Sequence, residues 1–338
     1  MTGSDTRGHV NITDVAREAG VSITTVSHVF SGRRHVAEKT REHVLNIVRE
    51  LGYEPNQVAR SLRTRRSHTL ALIIPDITNP FYTSLARGLQ DVGAAAGYQV
   101  IVCNTDGDPR SEQAALKQMI TRRVDGIGFA GYFNHVRDVA PVLASGIPVV
   151  LVGVGTPGPG VDVLSTDDIA AGELATRHLL DRGHRRIGFI TGPEREGPPA
   201  DRVAGYRKAL SEAHVRFRTI YVARTRFSRD GGAEAMGRLL ELSHPPEAVI
   251  CTNDMVAIGA LDTARSHGLR VPDDVAVMGF DDIEAAALIS PSLTTVSVRP
   301  REQGQGIGRL LLQRLEDPAA QPPQRVLYDP AVMARESA

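Results

Sequence analysis

Short apolar runs alternate with amphipathic stretches from about residue 69 onward, and this alternation constrains the fold more than any other feature of the sequence. Runs of five or six mostly apolar residues are typical of strands buried on both faces of a parallel sheet. The stretches between them, such as Leu85–Ala96 and Leu174–Leu180, are typical of helices that cover such a sheet. The pattern predicts the α/β fold class, with a core of two doubly wound parallel-sheet lobes and a cleft between them. The predicted strands are Leu70–Pro75, Gln99–Cys103, Gly126–Ala130, Val149–Val154, Ile187–Thr191, Ala248–Thr252 and Val275–Gly279.

Charge is distributed unevenly along the chain. Lys+Arg and Asp+Glu are equal at 39 each, yet residues 1–68 carry 11 basic and 7 acidic side chains, so the rest of the chain has an excess of acid. Within Gln57–His68 there are four arginines and no acidic residue. A basic N-terminal part on an acidic body is typical of a protein that contacts DNA with that part.

The first fifty residues carry the signals of three short helices. Asn11 can cap a first helix, and Asp14 three residues later can return to the backbone amide of the cap. Gly20 follows the end of this helix, where glycine readily adopts a positive φ. A second helix over Ile23–Phe30 and a third near Glu38–Leu51 each have one apolar stripe. The pattern predicts an N-terminal all-α helix-turn-helix domain.

Longer motifs in both parts of the chain resemble one known family. The N-terminal motifs closely resemble the head of the LacI/GalR family of bacterial repressors, and they are Asn11–Ser22, Thr25–Ser27, Lys39–Arg41, Gly52–Asn56, Val58–Arg60 and Leu62. The later motifs resemble the core of that family, and they are Asn79–Phe81, Arg123–Gly126, His178–Leu179, Gly183–His184, Gly192–Pro193, Arg202–Tyr206, Asn253–Asp254, Gly279–Asp281 and Leu293–Thr295. The resemblance covers about residues 11 to 330. It implies a core similar to the periplasmic sugar-binding proteins, of the type I-like fold.

The resemblance implies that the second helix lies in the major groove of DNA. Ile23, Thr24 and His28 then match positions that read base edges, and His35 matches a further contact position. Most members carry Arg where His28 stands, so the base read there stays open. Ordinary helix surface is the alternative role for Ile23 and Thr24. Short hydroxyl side chains suited to phosphate contacts are Thr13, Ser22, Thr25 and Ser27.

The resemblance also implies a hinge helix over Asn56–Leu62. We expect this segment to fold only on DNA, because isolated helices below ~12 residues are marginal in water. Leu62 matches the leucine that enters the minor groove between base pairs, and Ala59 lets two hinge helices approach each other. A plain tether with Leu62 packed on the core is the alternative. The expected domains are 1–54 (helix-turn-helix), 55–68 (hinge) and 69–338 (effector-binding and dimerisation core).

Polar residues follow several predicted strands, where ligands bind in open α/β sheets. By position, the resemblance implies that three polar residues contact a small-molecule effector and that two aromatic residues form a wall. Guanidinium, amide and carboxylate groups beside aromatic rings suit a polyhydroxylated ligand such as a sugar. The alternative is that Asn253 and Asp281 only cap the helices that follow them. Asp168, where the family usually has Asn, leaves the ligand open. The candidate effector residues are Asp76, Phe81, Arg202, Phe227, Asn253 and Asp281.

No cofactor, metal or catalytic site is expected. Cys103 and Cys251 are far apart, and no Cys/His grouping has metal-ligand spacing. The Gly153–Gly158 segment fits a dinucleotide-binding glycine pattern, but Pro157 and Pro159 prevent a helix from beginning there.

The sequence therefore predicts a homodimeric, effector-controlled transcription repressor that binds pseudo-palindromic operator DNA and is not an enzyme. It lacks the pattern of a signal peptide and an apolar stretch long enough for a membrane span, so we expect a bacterial cytoplasmic, nucleoid-associated protein with no membrane partner. An activator or dual regulator with the same contacts remains an alternative. A solute-binding protein of the transport class is a further alternative that the core alone would allow.

Overall fold

The computed structural model describes residues 10–31, 34–53, 66–131, 136–153, 155, 157–193, 197–317 and 322–338. The chain divides into two compact units, 1–67 and 68–338, which are described separately. The predicted hinge over 55–68 lies, apart from residues 66–68, outside the described residues and stays a prediction. Among the residues that the structure describes, no helix combines the length and hydropathy that a bilayer crossing requires.

The N-terminal unit contains helices α1 (Ile12–Glu18), α2 (Ile23–Ser31) and α3 (Glu38–Leu51). The predicted cap is present: the Asn11 side chain accepts hydrogen bonds from the backbone amides of Thr13 and Asp14, and the Asp14 carboxylate accepts from the Asn11 amide. This capping box stabilises the first turn of α1. The core of the unit includes the fully buried side chains of Val15, Val26 and Val44. The predicted helix-turn-helix domain is therefore confirmed.

The first lobe of the core has a six-stranded sheet in the order β2-β1-β3-β4-β5-β11, and every neighbouring pair is parallel. Its central strands are buried along their length, as their apolar sequences require. The strands are β1 (Thr69–Ile74), β2 (Gln99–Asn104), β3 (Gly126–Phe129), β4 (Val149–Val152), β5 (Val161–Thr166) and β11 (Arg325–Tyr328). The helices of this lobe are α4 (Pro80–Ala95), α5 (Pro109–Arg122), α6 (Val136–Ala144) and α12 (Pro300–Glu316).

The second lobe has a six-stranded sheet in the order β7-β6-β8-β9-β10-β12, in which only the β10–β12 pair is antiparallel. Its strands are β6 (Ile187–Thr191), β7 (Val222–Arg224), β8 (Ala248–Cys251), β9 (Ala276–Asp281), β10 (Thr294–Ser297) and β12 (Ala331–Met333). Its helices are α7 (Asp168–Asp181), α8 (Pro198–Glu212), α9 (Arg229–Leu240), α10 (Asp254–Ser266) and α11 (Glu284–Leu288), with a short 3-10 turn over Thr219–Tyr221. The predicted two-lobed α/β core is confirmed.

The chain passes between the two lobes three times: after β5, after β10 and after β11. Residues in the first turns of α12 form hydrogen bonds with all three segments that cross between the lobes. Gln303 Nε2 donates to Thr166 Oγ1 at 3.1 Å and to the Val298 carbonyl at 2.5 Å. Tyr328 Oη donates to the Glu302 carbonyl at 3.0 Å. The crossings are therefore held together at one edge of the cleft between the lobes.

All seven predicted strands are present, but the apolar pattern alone missed several others. The β5 strand contains Asp162, which is almost fully buried and forms an ion pair with Arg314 of α12. Arg314 donates to the two Asp162 carboxylate oxygens at 2.9 and 2.7 Å, and the Gln324 amide donates to one of them at 2.8 Å. A charged residue at a buried strand position interrupts the apolar run, so sequence reasoning did not count β5. After Gly158 the chain continues into β5 and not into a helix, as Pro157 and Pro159 predicted.

Candidate functional site

A cavity lies between the lobes of the core, at the carboxyl ends of their strands. Five of the six predicted effector residues line it: Phe81 from the first lobe and Arg202, Phe227, Asn253 and Asp281 from the second. The fold brings together residues that are up to about 200 positions apart in the chain, at the place where ligands bind beyond the carboxyl ends of parallel strands.

Asp76 is the predicted effector residue that the structure does not bring to the cavity. Its carboxylate accepts hydrogen bonds from the Thr78 amide at 2.8 Å and from the Thr78 hydroxyl at 2.6 Å. The side chain thus forms the turn after β1, which is a common role for Asp at such a position. Asp76 is absent from the set of described residues that line the cavity. The geometry gives no support to an effector contact by this side chain.

Arg202 is held in one orientation by contacts on several sides. Its Nε–H donates to Asp168 Oδ1 at 2.8 Å, and Nη1 donates to the Thr252 carbonyl at 2.5 Å. The guanidinium carbon lies 4.5 Å from the centre of the Phe280 ring, a cation–π contact. Burial acts to lower the pKa of Arg202, but Asp168 and Asp281 outweigh this effect and the pKa is raised. The guanidinium is therefore a fixed, charged donor in the cavity.

Close packing of two helices positions Arg202 beside Asp168. Gly172 of α7 and Gly205 of α8 face the backbone of the opposite helix. A Cβ atom at Gly172 would lie 2.1 Å from the Arg202 carbonyl oxygen, and one at Gly205 would lie 2.0 Å from the Ile169 carbonyl oxygen. Only glycine allows this approach, so the spacing of the two glycines sets the distance across the ion pair.

Asp281 ends β9 with a φ of 105° and a side chain that is almost fully buried. Burial raises the pKa of its carboxyl to about 7; Arg202 opposes this shift and Asp168 adds to it. Among the described residues, no group donates a hydrogen bond to the Asp281 carboxylate. The short helix that follows it begins after Ile283 without a side-chain cap, so the geometry does not support the alternative that Asp281 is a helix cap.

Buried Asp254 supports the turn that carries Asp281. Its Oδ2 accepts from the Ile283 amide at 2.9 Å, and its Oδ1 accepts from the Thr295 hydroxyl at 2.6 Å. Burial raises the pKa of Asp254 well above the usual range, and the nearby charge of Asp281 adds to the shift. Asp254 thus stabilises the backbone that places Asp281 at the cavity.

Asn253 combines the two roles that sequence reasoning treated as alternatives. Its Oδ1 accepts from the Val256 amide at 2.8 Å, so the side chain caps α10. The same residue lines the cavity. The cap uses the amide oxygen and leaves the two N–H groups of the amide available as donors.

Further residues that line the cavity were not among the candidate effector residues, including Asp168, Thr252 and Gln303. Thr252 lies directly after β8 and Asp168 lies two residues after the end of β5, so the strand-end rule points to both. The Thr252 hydroxyl oxygen is buried and has no hydrogen-bond partner among the described residues. Gln303 comes from α12, after the second crossing between the lobes, and no local sequence signal marks it.

In the N-terminal unit, helix α2 carries most of the predicted base-contacting residues on one side. The predicted base contacts Ile23, Thr24 and His28 and the predicted phosphate contact Ser27 lie within six consecutive residues of this helix, while Val26 on the other side is buried. The Ile23 side chain is 47% exposed. Ile23 and Thr24 are exposed, whereas Ser27 and His28 are partly buried, and His28 Nδ1 has no hydrogen-bond partner among the described residues.

The remaining predicted DNA contacts differ in how far the structure describes them. Ser22 Oγ accepts from the Thr25 amide at 3.1 Å and lies 2.9 Å from Thr25 Oγ1, so Ser22 caps α2. Thr13 and His35 are exposed. Contacts predicted for Asn56, Ala59 and Leu62 lie outside the described residues.

A helix-turn-helix unit and a two-lobed α/β unit with a polar cavity at the strand ends define a class of protein: a DNA-binding regulator with a binding-protein-like core. Family models match both parts of the chain. Residues 11–56 match the model described as "Bacterial regulatory proteins, lacI family", and residues 176–338 match the "Periplasmic binding protein-like domain". The chain belongs to the LacI family of bacterial transcriptional regulators. Members of this family are DNA-binding regulators and not enzymes.

Similarity extends over nearly the whole chain. The ribose operon repressor of Escherichia coli (strain K12) is 37% identical over 329 residues, which is 96% of this chain and 98% of the relative. A structure of the transcriptional regulator CelR in complex with cellobiose is 31% identical, with a TM-score of 0.73 over 97% of this chain and all of the other. The lac repressor dimer bound to operator and an anti-inducer is 26% identical, with a TM-score of 0.87 over 98% of this chain and 99% of the other. The matched head sets aside the solute-binding alternative.

Proposed function

We propose that this regulator is a homodimeric repressor whose effector is a carbohydrate bound in the cavity between the lobes. One observation carries the proposal: Arg202, Asn253 and Asp281 offer polar groups in a cavity that Phe81 and Phe227 also line. The CelR relative, in complex with cellobiose, supports the same class of ligand. The protein would act in the bacterial cytoplasm, at the nucleoid.

The polar groups suit neighbouring hydroxyl groups of a sugar. Arg202 has five N–H donors, and Asp168 and the Thr252 carbonyl take two of them, so three remain for a ligand. Asp281 can accept from two hydroxyls, and Asn253 can donate two N–H groups. The rings of Phe81 and Phe227 can cover the apolar face of a sugar ring. These donors and acceptors are fixed before the ligand arrives, which lowers the entropic cost of binding.

Binding of the effector would reach DNA through the crossings between the lobes. Closure of the cleft on a ligand moves one lobe against the other about the three crossings that Gln303 and Tyr328 hold. We propose that this movement changes the spacing of two hinge helices at 55–68 in a dimer. Two heads on a two-fold axis then match a pseudo-palindromic operator. By linkage, the effector changes DNA affinity only through its different affinities for the two states, typically by about 1 to 3 kcal/mol.

A ligand screen followed by a DNA-binding measurement tests the proposal. Sequence selection from random duplex DNA first supplies an operator. Free sugars, purine bases and nucleosides are then compared by thermal shift, since a ligand that binds only the native state raises its melting temperature. We expect free sugars to raise the melting temperature and to change operator affinity.

Two matched variants test whether the sugar acts in the cavity. Asp281→Ala should lose the sugar response and keep operator binding, whereas Asp76→Ala, a nearby carboxylate outside the cavity, should keep both. Stabilisation by purine bases or nucleosides alone would contradict the carbohydrate proposal. A normal sugar response of the Asp281 variant would place the ligand elsewhere.

A further inference from the structure

The cavity has more acidic than basic side chains. Among the described residues that line it, these are two carboxyls, Asp168 and Asp281, and one guanidinium, Arg202, so the cavity carries an excess of negative charge once the pH exceeds the Asp281 pKa of about 7. All three are largely removed from water: the side chains of Arg202 and Asp168 are 11% and 7% exposed, and Asp281 is 5% exposed. Charges in such an environment are weakly screened and act strongly on a bound ligand.

Asp168 already neutralises the guanidinium of Arg202. The Arg202 Nε–H, which would otherwise form one side of a bidentate anion contact, donates to Asp168 Oδ1 at 2.8 Å. Nη1 donates to the Thr252 carbonyl, and the Phe280 ring covers one face of the guanidinium. An incoming phosphate or carboxylate would therefore meet an arginine whose charge is already paired.

Asp281 supplies a second barrier to anions. No described group donates a hydrogen bond to the Asp281 carboxylate. Hydrogen-bond donors of a ligand therefore stabilise the ionised carboxylate, and anionic groups of a ligand destabilise it. The raised pKa of Asp281, which follows from burial, agrees with a carboxylate that lacks such donors in the free protein. At a pH above the pKa of Asp281, an anionic group on the ligand would add a further like charge beside the ionised carboxylate, which disfavours anion binding.

We propose that the cavity selects uncharged polyhydroxy effectors against their phosphorylated or carboxylated counterparts, and that Asp168 is the residue that sets this selectivity. The inference rests on the proposed effector site and narrows the ligand class. Asp168 keeps Arg202 oriented while cancelling its charge, so that the remaining guanidinium N–H groups serve hydroxyl oxygens. Asn at this position could still accept the Nε–H hydrogen bond but would leave the charge of Arg202 unpaired by Asp168.

Sulfate tests this rule without knowledge of the natural effector. The proteins compared are the wild type, Asp168→Asn, the double variant Asp168→Asn/Asp281→Asn, and Asp76→Asn as a matched control outside the cavity. Melting temperature is measured in sodium sulfate against sodium chloride at equal ionic strength and at pH 8, above the Asp281 pKa of about 7. Because sulfate stabilises proteins generally, the readout is the saturable part of the rise in each protein, and Asp76→Asn should match the wild type.

The double variant retains Arg202 as the charged group in the described lining, and we expect it to bind sulfate at least about tenfold more tightly than the wild type. Asp168→Asn should lie between the two. Saturable sulfate binding by the wild type, or equal sulfate response of wild type and double variant, overturns the proposal. Circular dichroism of each variant at low temperature confirms that the compared proteins are folded.

Paired sugars distinguish this inference from the proposed function. Wild-type protein is titrated with D-ribose and D-ribose 5-phosphate, and with D-glucose and D-glucose 6-phosphate. Binding of a free sugar and not of its phosphate supports both proposals. Binding of a phosphate ester in preference to its free sugar overturns the proposed selection against anionic ligands, and it leaves the proposal of a carbohydrate effector intact. If no free sugar or phosphate ester binds, the carbohydrate proposal loses its support while the sulfate comparison still decides whether the cavity selects against anionic ligands.

Discussion

Replacement of Asp281 by Asn should make the free protein more stable at alkaline pH. The pKa of Asp281 is about 7 in the folded chain against 3.8 for an ordinary aspartate, because burial disfavours the charged form. For a group with a raised folded pKa, the contribution to stability is fully present below the unfolded pKa and is lost as the pH rises through the folded pKa. The wild-type core should therefore lose stability between about pH 4 and pH 7.

The size of this loss follows from the shift. A shift of about three pH units corresponds to roughly 4 kcal/mol at 1.36 kcal/mol per unit, as an upper limit. The folded pKa lies about two units above pH 5. The free energy of unfolding of the variant, relative to that of the wild type, should therefore increase by roughly 2 to 3 kcal/mol between pH 5 and pH 8. Arg202, Asp168, Asp254 and Asp282 face the same region and are unchanged in the variant.

Urea unfolding of the core at pH 5, 6, 7 and 8 measures this difference, with Asp76→Asn as the control. We expect the free energies of unfolding of the wild type and Asp281→Asn to diverge as the pH rises, while the control follows the wild type. Parallel pH profiles for the wild type and Asp281→Asn would show that the carboxyl titrates normally in the folded chain and would refute the reasoning. The same variant should lose the effector response, which would explain why a destabilising carboxylate occupies this position.

Three further outcomes are expected. Leu62→Ala should weaken operator binding in fluorescence anisotropy and leave the melting temperature of the core unchanged; wild-type affinity would remove the proposed minor-groove role. His28→Arg should change the consensus obtained by sequence selection more than it changes the salt dependence of binding, since bidentate contact to guanine becomes available; an unchanged consensus would contradict the assignment. Asp162→Ala should destabilise the core by roughly 3 to 5 kcal/mol in urea unfolding, because it leaves the guanidinium of Arg314 buried without its carboxylate; a loss below about 1 kcal/mol would show that the pair is not isolated from water.

Sequence patterns predicted the parts of the fold in which local chemistry and tertiary structure agree. The Asn11–Asp14 capping box and the apolar stripe of α3 are local signals, and both were found as predicted. Strand β5 was missed because the partner that makes buried Asp162 acceptable, Arg314, lies about 150 residues later in the chain. A periodicity rule reads only neighbours, so it cannot anticipate a charge that a distant residue neutralises.

The candidate site was predictable to the extent that it follows strand ends. Arg202, Asn253 and Asp281 reached the cavity as expected, together with Phe81 and Phe227. Asp76 also follows a strand, but its carboxylate accepts hydrogen bonds from the Thr78 amide and hydroxyl. These local hydrogen bonds hold the side chain in the turn and away from the cavity. Gln303 enters the cavity only because α12 returns to the first lobe after a crossing, which is a property of topology and not of local sequence.

The proposed mechanism couples occupancy of the cleft to DNA binding. The most direct measurement is the affinity of the purified protein for its selected duplex, determined by anisotropy with and without the free sugar that most raises its melting temperature. We expect salt-sensitive, sequence-selective binding that this sugar changes about 5- to 150-fold in the wild type and leaves unchanged in Asp281→Ala. Sequence-selective binding that no stabilising sugar alters, or an equal change in the variant, would contradict the proposed mechanism.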